Sequence, residues 1–126
     1  KPLFPFGHGL SYTNYEYKNL KIEHKAGKVL CCLEVSNVGK FDGKEIIQCY
    51  ISSPITDKEE PIKTLQNFKK IKIKKGQTKS IKLKLNKRNF SYWDVNSKSW
   101  KIKKGDHEIL IGSSLDKILL RNKISW

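Results

Sequence analysis

Ile81, Leu83 and Leu85 alternate with Lys82 and Lys84, and this period of two constrains the chain more than any other feature. On a helix these apolar side chains would scatter around the axis, whereas on a strand they share one face. Val29, Cys31, Leu33 and Val35 repeat the pattern, as do Ile47, Cys49 and Ile51, with Gln48 and Ser52 turned the other way. Tyr15, Tyr17, Leu20 and Ile22 predict a first strand with one irregularity. Ile71 and Ile73 lead to a turn at Lys75-Gly76, and Phe90, Tyr92 and Asp94 to a turn at Asn96-Ser97 from which Trp100 and Ile102 return. His107 to Gly112 and Ile118 to Leu120 supply the last apolar stretches. No window of helical length keeps apolar residues at helical spacing without Gly, Pro or β-branched interruption. Turn signals recur about every 8–12 residues, which predicts seven or eight short strands in an all-β sandwich or barrel.

With 126 residues there is room for one domain with a real core. The predicted sandwich occupies residues 14–126. Residues 1–13, Lys1-Pro2-Leu3-Phe4-Pro5-Phe6-Gly7-His8-Gly9-Leu10-Ser11-Tyr12-Thr13, follow neither period and form an extended N-terminal arm, because the prolines fix φ and hold their neighbours extended. The arm's aromatic residues need a surface to pack on. Together with the absence of any Met, this points to a piece of a longer polypeptide.

The net charge of +14 raises the possibility of a polyanion ligand. Yet 24 of the 26 basic residues are lysines, and bidentate reading of bases and phosphates favours Arg, so no specific nucleic-acid partner is expected. The lysines fall mainly between inward positions, where they also discourage pairing at sheet edges. No apolar run reaches the ~20 residues of a membrane span, and no membrane partner is expected. Cys31 and Cys32 point to opposite faces of one strand and Cys49 lies in another, without metal-ligand spacing. Buried free thiols, no metal and no cofactor are the expectation, which fits a reducing, cytoplasmic compartment.

Catalytic chemistry finds no foothold. Asp57, Glu59 and Glu60 lie together in a solvated loop, where neighbours cannot face one another across a substrate. Gly112-Ser113-Ser114 lacks the second glycine of a nucleophile elbow, and Gly7-His8-Gly9 has Tyr12 where a dinucleotide fingerprint needs its third glycine. Asp42, Asp94, Asp106 and Asp116 sit where Asp caps turns. Trp93 falls out of phase with Phe90 and Tyr92 and lies across a turn from Trp100. The pair is therefore a candidate for stacking sugars, with Trp126 a weaker third.

The arm resembles the segment that joins the catalytic part of glycoside hydrolase family 3 β-glucosidases to their C-terminal fibronectin type III-like domain. The likeness continues through Val35-Ser36-Asn37-Val38-Gly39, Gly43 to Ile51, Pro61 to Ile71, Lys75 to Lys79, Phe90-Ser91-Tyr92-Trp93-Asp94 and Gly105 to Ser114. The resemblance implies an immunoglobulin-like sandwich of two antiparallel sheets. It also implies retaining glycosidases whose Asp nucleophile and Glu acid/base belong to domains upstream of Lys1, so no catalytic residue is carried over. On this footing the chain is a non-catalytic accessory domain and a monomer when isolated. Phe4, Phe6, His8, Leu10, Tyr12, Pro61, Leu65 and Phe68 would dock on the catalytic domains of the same polypeptide, the last three around a long loop from Ser53 to Leu65. A carbohydrate-binding module using Trp93 and Trp100, and a lysine-rich polyanion binder, are the alternatives.

Overall fold

The computed structural model of the chain describes residues 14–53 and 62–126. Nine strands run through them, with one 3-10 turn at Lys87–Phe90. β1 (Tyr15–Lys25), β2 (Lys28–Asn37) and β5 (Thr78–Asn86) form one antiparallel sheet in the order β1-β2-β5. β3 (Gly43–Ser52), β4 (Lys63–Ile73), β8 (Asp106–Ser114) and β9 (Lys117–Ser125) form the second, in the order β4-β3-β8-β9. β6 (Ser91–Asp94) and β7 (Ser99–Ile102) pair only with each other, and nine strands form where seven or eight are expected. The chain changes sheets between β2 and β3 and again between β4 and β5, so the layers are laced together.

The inward rows are the ones that the alternation marks. Val29, Cys31, Leu33 and Val35 of β2 and Ile81, Leu83 and Leu85 of β5 meet Ile47, Cys49 and Ile51 of β3 and Ile109 and Ile111 of β8 in one core. Full burial of such a side chain contributes about 2 kcal/mol. Phe90 at the end of the 3-10 turn joins them, 5.7 Å from the His107 ring and 5.2 Å from Trp126. The irregularity expected in β1 lies between Lys18 and Lys21, where the register shifts and Asn19 adopts φ +59°. Asn tolerates that left-handed conformation better than most residues. The β1–β2 connection is a two-residue hairpin loop with positive φ at Ala26 and Gly27, the geometry that matches strand twist.

Two expectations change. The outward face of the four-stranded sheet is not solvated throughout, because Tyr50, Ser52 and Leu110 are buried there. Cys49-Tyr50-Ile51 and Ile109-Leu110-Ile111 are continuous apolar runs, the pattern of strands covered on both faces. Trp126 is partly buried against the core rather than an exposed stacking platform: its ring centroid lies 4.3 Å from that of His24, and its backbone pairs with Gly105 in both directions.

Candidate functional site

Two surfaces carry the residues singled out above. The first is the outward face of the four-stranded sheet at its β4 edge. Leu65 and Phe68 are three apart, so an undisturbed strand would point them to opposite sides. The register slips between Cys49 and Tyr50, leaving Gln66 without an opposite number, so that Tyr50 faces Leu65 and Gln48 faces Phe68. Tyr50 and Gln48 share a face, and their side chains are hydrogen-bonded, with the Tyr50 hydroxyl donating to Gln48 Oε1. The bulge therefore brings Leu65 and Phe68 onto one face, exposed by 50% and 59% beside buried Tyr50 and Leu110. Asn67 is anchored by donating from Nδ2 to the Lys84 carbonyl at 2.8 Å. The other docking residues expected, Phe4, Phe6, His8, Leu10, Tyr12 and Pro61, lie outside the described residues, as does most of the loop between β3 and β4.

The second surface is the β6–β7 hairpin. Trp93 and Trp100 are register partners whose rings meet edge to face at 5.5 Å, and each is about half exposed. The structure thus brings together the two tryptophans that their phase and the intervening turn predict to be neighbours. The guanidinium of Arg88 lies over the Trp100 ring, 3.5 Å from its centroid, and Lys103 Nζ lies 5.9 Å from Tyr92. A stacked guanidinium covers part of the indole, so Trp100 is less open than an exposed tryptophan alone would be. Arg88 is positioned by its backbone. Asn86 caps the 3-10 turn by accepting from Arg88 N at 2.9 Å, Asn89 Oδ1 accepts from Asn86 N, and Ser91 Oγ donates to the Lys87 carbonyl. The sequence signal for this is the Asn86-x-x-Asn89 spacing, which the alternation marks only as a break.

At the turn of the same hairpin, Asp94 accepts from Ser97 Oγ at 2.7 Å and faces Lys101 Nζ at 3.1 Å. These partners, Ser97 foremost, hold its carboxyl below the usual range. Asp42 accepts from Lys75 N at 2.8 Å. Both behave as turn caps. Ser113 and Ser114 continue β8 rather than forming an elbow.

Several polar residues escaped the alternation. Asn37 is 1% exposed, yet donates from Nδ2 to the carbonyls of Phe41 and Ile73 and accepts from Gly39 N, tying β2 to β4 through one side chain. Tyr17 donates to Glu45 Oε2 at 2.8 Å between the two sheets. Burial first, then the Glu45 charge, raises the Tyr17 hydroxyl well above its ordinary value. Burial likewise raises Glu45, against the opposing pull of that hydrogen bond, the Ile46 amide and Lys117. His107 is fully buried with Nε2 2.8 Å from the Lys103 carbonyl and Nδ1 without a partner among the described residues. Cys31 and Cys49 are buried and free, and interaction with the Cys31 thiol and then burial hold the Cys49 thiol well above its ordinary value. No cluster of three or more potential metal ligands occurs among the described residues.

The fibronectin type III-like domain family matches residues 45–115. Thermostable β-glucosidase B of Acetivibrio thermocellus is 38% identical over 98% of the chain, and xylan 1,4-β-xylosidase of Xylanibacter ruminicola is 40% identical over 98%. The chain spans only 17% and 14% of the length of these two relatives. Among solved structures, the glycoside hydrolase family 3 β-glucosidase of Bifidobacterium adolescentis superposes with a TM-score of 0.85 at 25% identity, covering 96% of this chain and 18% of its own.

Proposed function

Because the chain belongs to the fibronectin type III-like domain family, in the form carried by family 3 β-glucosidases, we propose that it is the non-catalytic C-terminal accessory domain of a β-glycosidase. It braces upstream catalytic domains that hold the reactive carboxylates. The observation carrying this reading is that nearly the whole chain aligns with less than a fifth of enzymes named for β-glycoside hydrolysis. Two features of the molecule support it. Asp42 and Asp94 hold turns and Glu45 bridges the two sheets, so these three carboxylates are committed to structure. Leu65 and Phe68 stand exposed on one face of an edge strand, where their apolar area favours burial at about 25 cal/mol per Å². The bracing surface is this face together with the arm residues Phe4, Phe6, His8, Leu10 and Tyr12 and the loop residue Pro61.

The test is hydrolysis of an aryl β-glucoside by this chain and by a polypeptide extended upstream. The extended form is expected to be active and the chain alone inactive. In the extended form, Leu65→Lys with Phe68→Lys is expected to lower the temperature at which activity is lost, while the variant chain alone unfolds within about 0.5 kcal/mol of its parent. Turnover by the chain alone, abolished by a point substitution within it, would overturn the reading.

A further inference from the structure

We propose that the pocket beside the β6–β7 hairpin binds a carboxylate-bearing sugar, such as a uronic-acid oligosaccharide. This rests on the pocket alone and is independent of the accessory role. A cavity of about 550 Å³ opens where the β1–β2 turn, the 3-10 turn and β7 meet. Its volume falls in the range of small-ligand sites, about 300–1,000 Å³. Trp100, Ile102 and Trp126 supply apolar walls, and Lys87, Arg88 and Lys104 supply three cations. No acidic residue lines it.

The two arginines of the chain behave differently. Arg121 is paired with Glu108 at 3.6 Å. Arg88 has no carboxylate partner among the described residues, and its guanidinium carbon lies 3.5 Å from the centroid of the Trp100 ring. Stacking uses the face of the guanidinium and leaves its in-plane N–H fork available, which is the geometry that grips a carboxylate with two parallel bonds. The indole and the capped 3-10 turn hold that fork in place before any ligand arrives, lowering the entropy lost on binding. An apolar wall of ring size beside such a fork suits the C–H face of a pyranose carrying a carboxylate. The two lysines stand ready to donate to its hydroxyls, and Ser91 Oγ, which donates to the Lys87 carbonyl, keeps a lone pair to accept from one. A nucleic acid would instead engage the lysines spread over the strands and would not depend on one pocket.

Titration of the chain with trigalacturonate, followed by tryptophan fluorescence and calorimetry, tests this. Cellotriose, inorganic phosphate and a DNA duplex are the comparisons. Saturable binding of trigalacturonate is expected, with cellotriose and phosphate at least about tenfold weaker. Arg88→Gln, at an exposed position, is expected to weaken it about tenfold or more, and Trp100→Phe to weaken it less. Circular dichroism of both variants identifies any loss of fold, and Lys104→Gln provides a second exposed substitution at the rim. Binding unchanged in Arg88→Gln and Lys104→Gln, equal binding of cellotriose, or no saturable response would each overturn the assignment. Binding of DNA that survives these substitutions would assign the charge to a diffuse polyanion surface instead.

Discussion

Glu45 shows what one residue decides. Its carboxylate sits between the sheets, accepts from Tyr17 and is raised by burial. A carboxyl raised on folding holds its proton more tightly in the folded chain than in the unfolded one. Its contribution is therefore fullest below the unfolded value of about 4.3 and is lost as pH climbs through the folded value. Glu45→Gln keeps an acceptor for Tyr17 and has nothing to ionise. The variant is expected to unfold at higher urea than the parent at pH 7, with the two curves converging as the pH falls below about 4. A gap that widens in acid would contradict the burial account. Asn37 teaches the same lesson from the polar side. Its neighbourhood, Asn37-Val38-Gly39-Lys40, reads as turn chemistry, and it does start a turn. That it is also buried, holding the Ile73 carbonyl of β4, depends on a segment 36 residues away.

At the scale of elements, small departures from ideal pairing place side chains. The bulge at Gln66 is a single extra residue in β4, yet it puts Leu65 and Phe68 on a common face. Gly112 marks the corresponding event between β8 and β9, where the register shifts on both sides of it. A Cβ built at Gly112 would lie 1.9 Å from the Lys117 carbonyl oxygen and 2.9 Å from Ile118 Cα. These are backbone atoms, so no side-chain rotation relieves the clash. Gly112→Ala is expected to destabilise the chain by about 3 kcal/mol, read as a lowered urea midpoint with an unchanged slope. A midpoint within error of the parent would show that β9 swings away freely. Gly112-Ser113-Ser114 lacks the second glycine of a nucleophile elbow. What requires a glycine here is the close approach of a partner strand.

For the molecule as a whole, the two sheets close over thiols that never meet solvent. Cys31 and Cys49 are fully buried, whereas Cys32, on the other face of β2, is partly exposed. An aromatic disulfide reagent is expected to label one thiol per native chain and all three in urea, the slow pair reacting at the rate of global opening. Equal labelling of all three under native conditions would mean that the layers part locally. The same closure explains the lysines. They load the outward positions of β4 and β5, at 72, 82 and 84, while their neighbours at 73, 81, 83 and 85 fill the core.

The strand class, the inward rows, the pairing of Trp93 with Trp100 and the irregularity in β1 were legible from the sequence. Each rests on a period or a turn within about ten residues of chain, and a two-residue period assigns faces without knowing what lies opposite. The resemblance to family 3 enzymes was legible too, through blocks spread along the chain. The residues brought together by folding were not: Arg88 on Trp100, Tyr17 against Glu45, Cys31 against Cys49, Leu65 beside Phe68. Each of those meetings depends on which strands pair, in what register and with which bulge. That choice is settled by the simultaneous packing of two sheets, and even Leu65 and Phe68, near in sequence, share a face only through the register of β4 on β3.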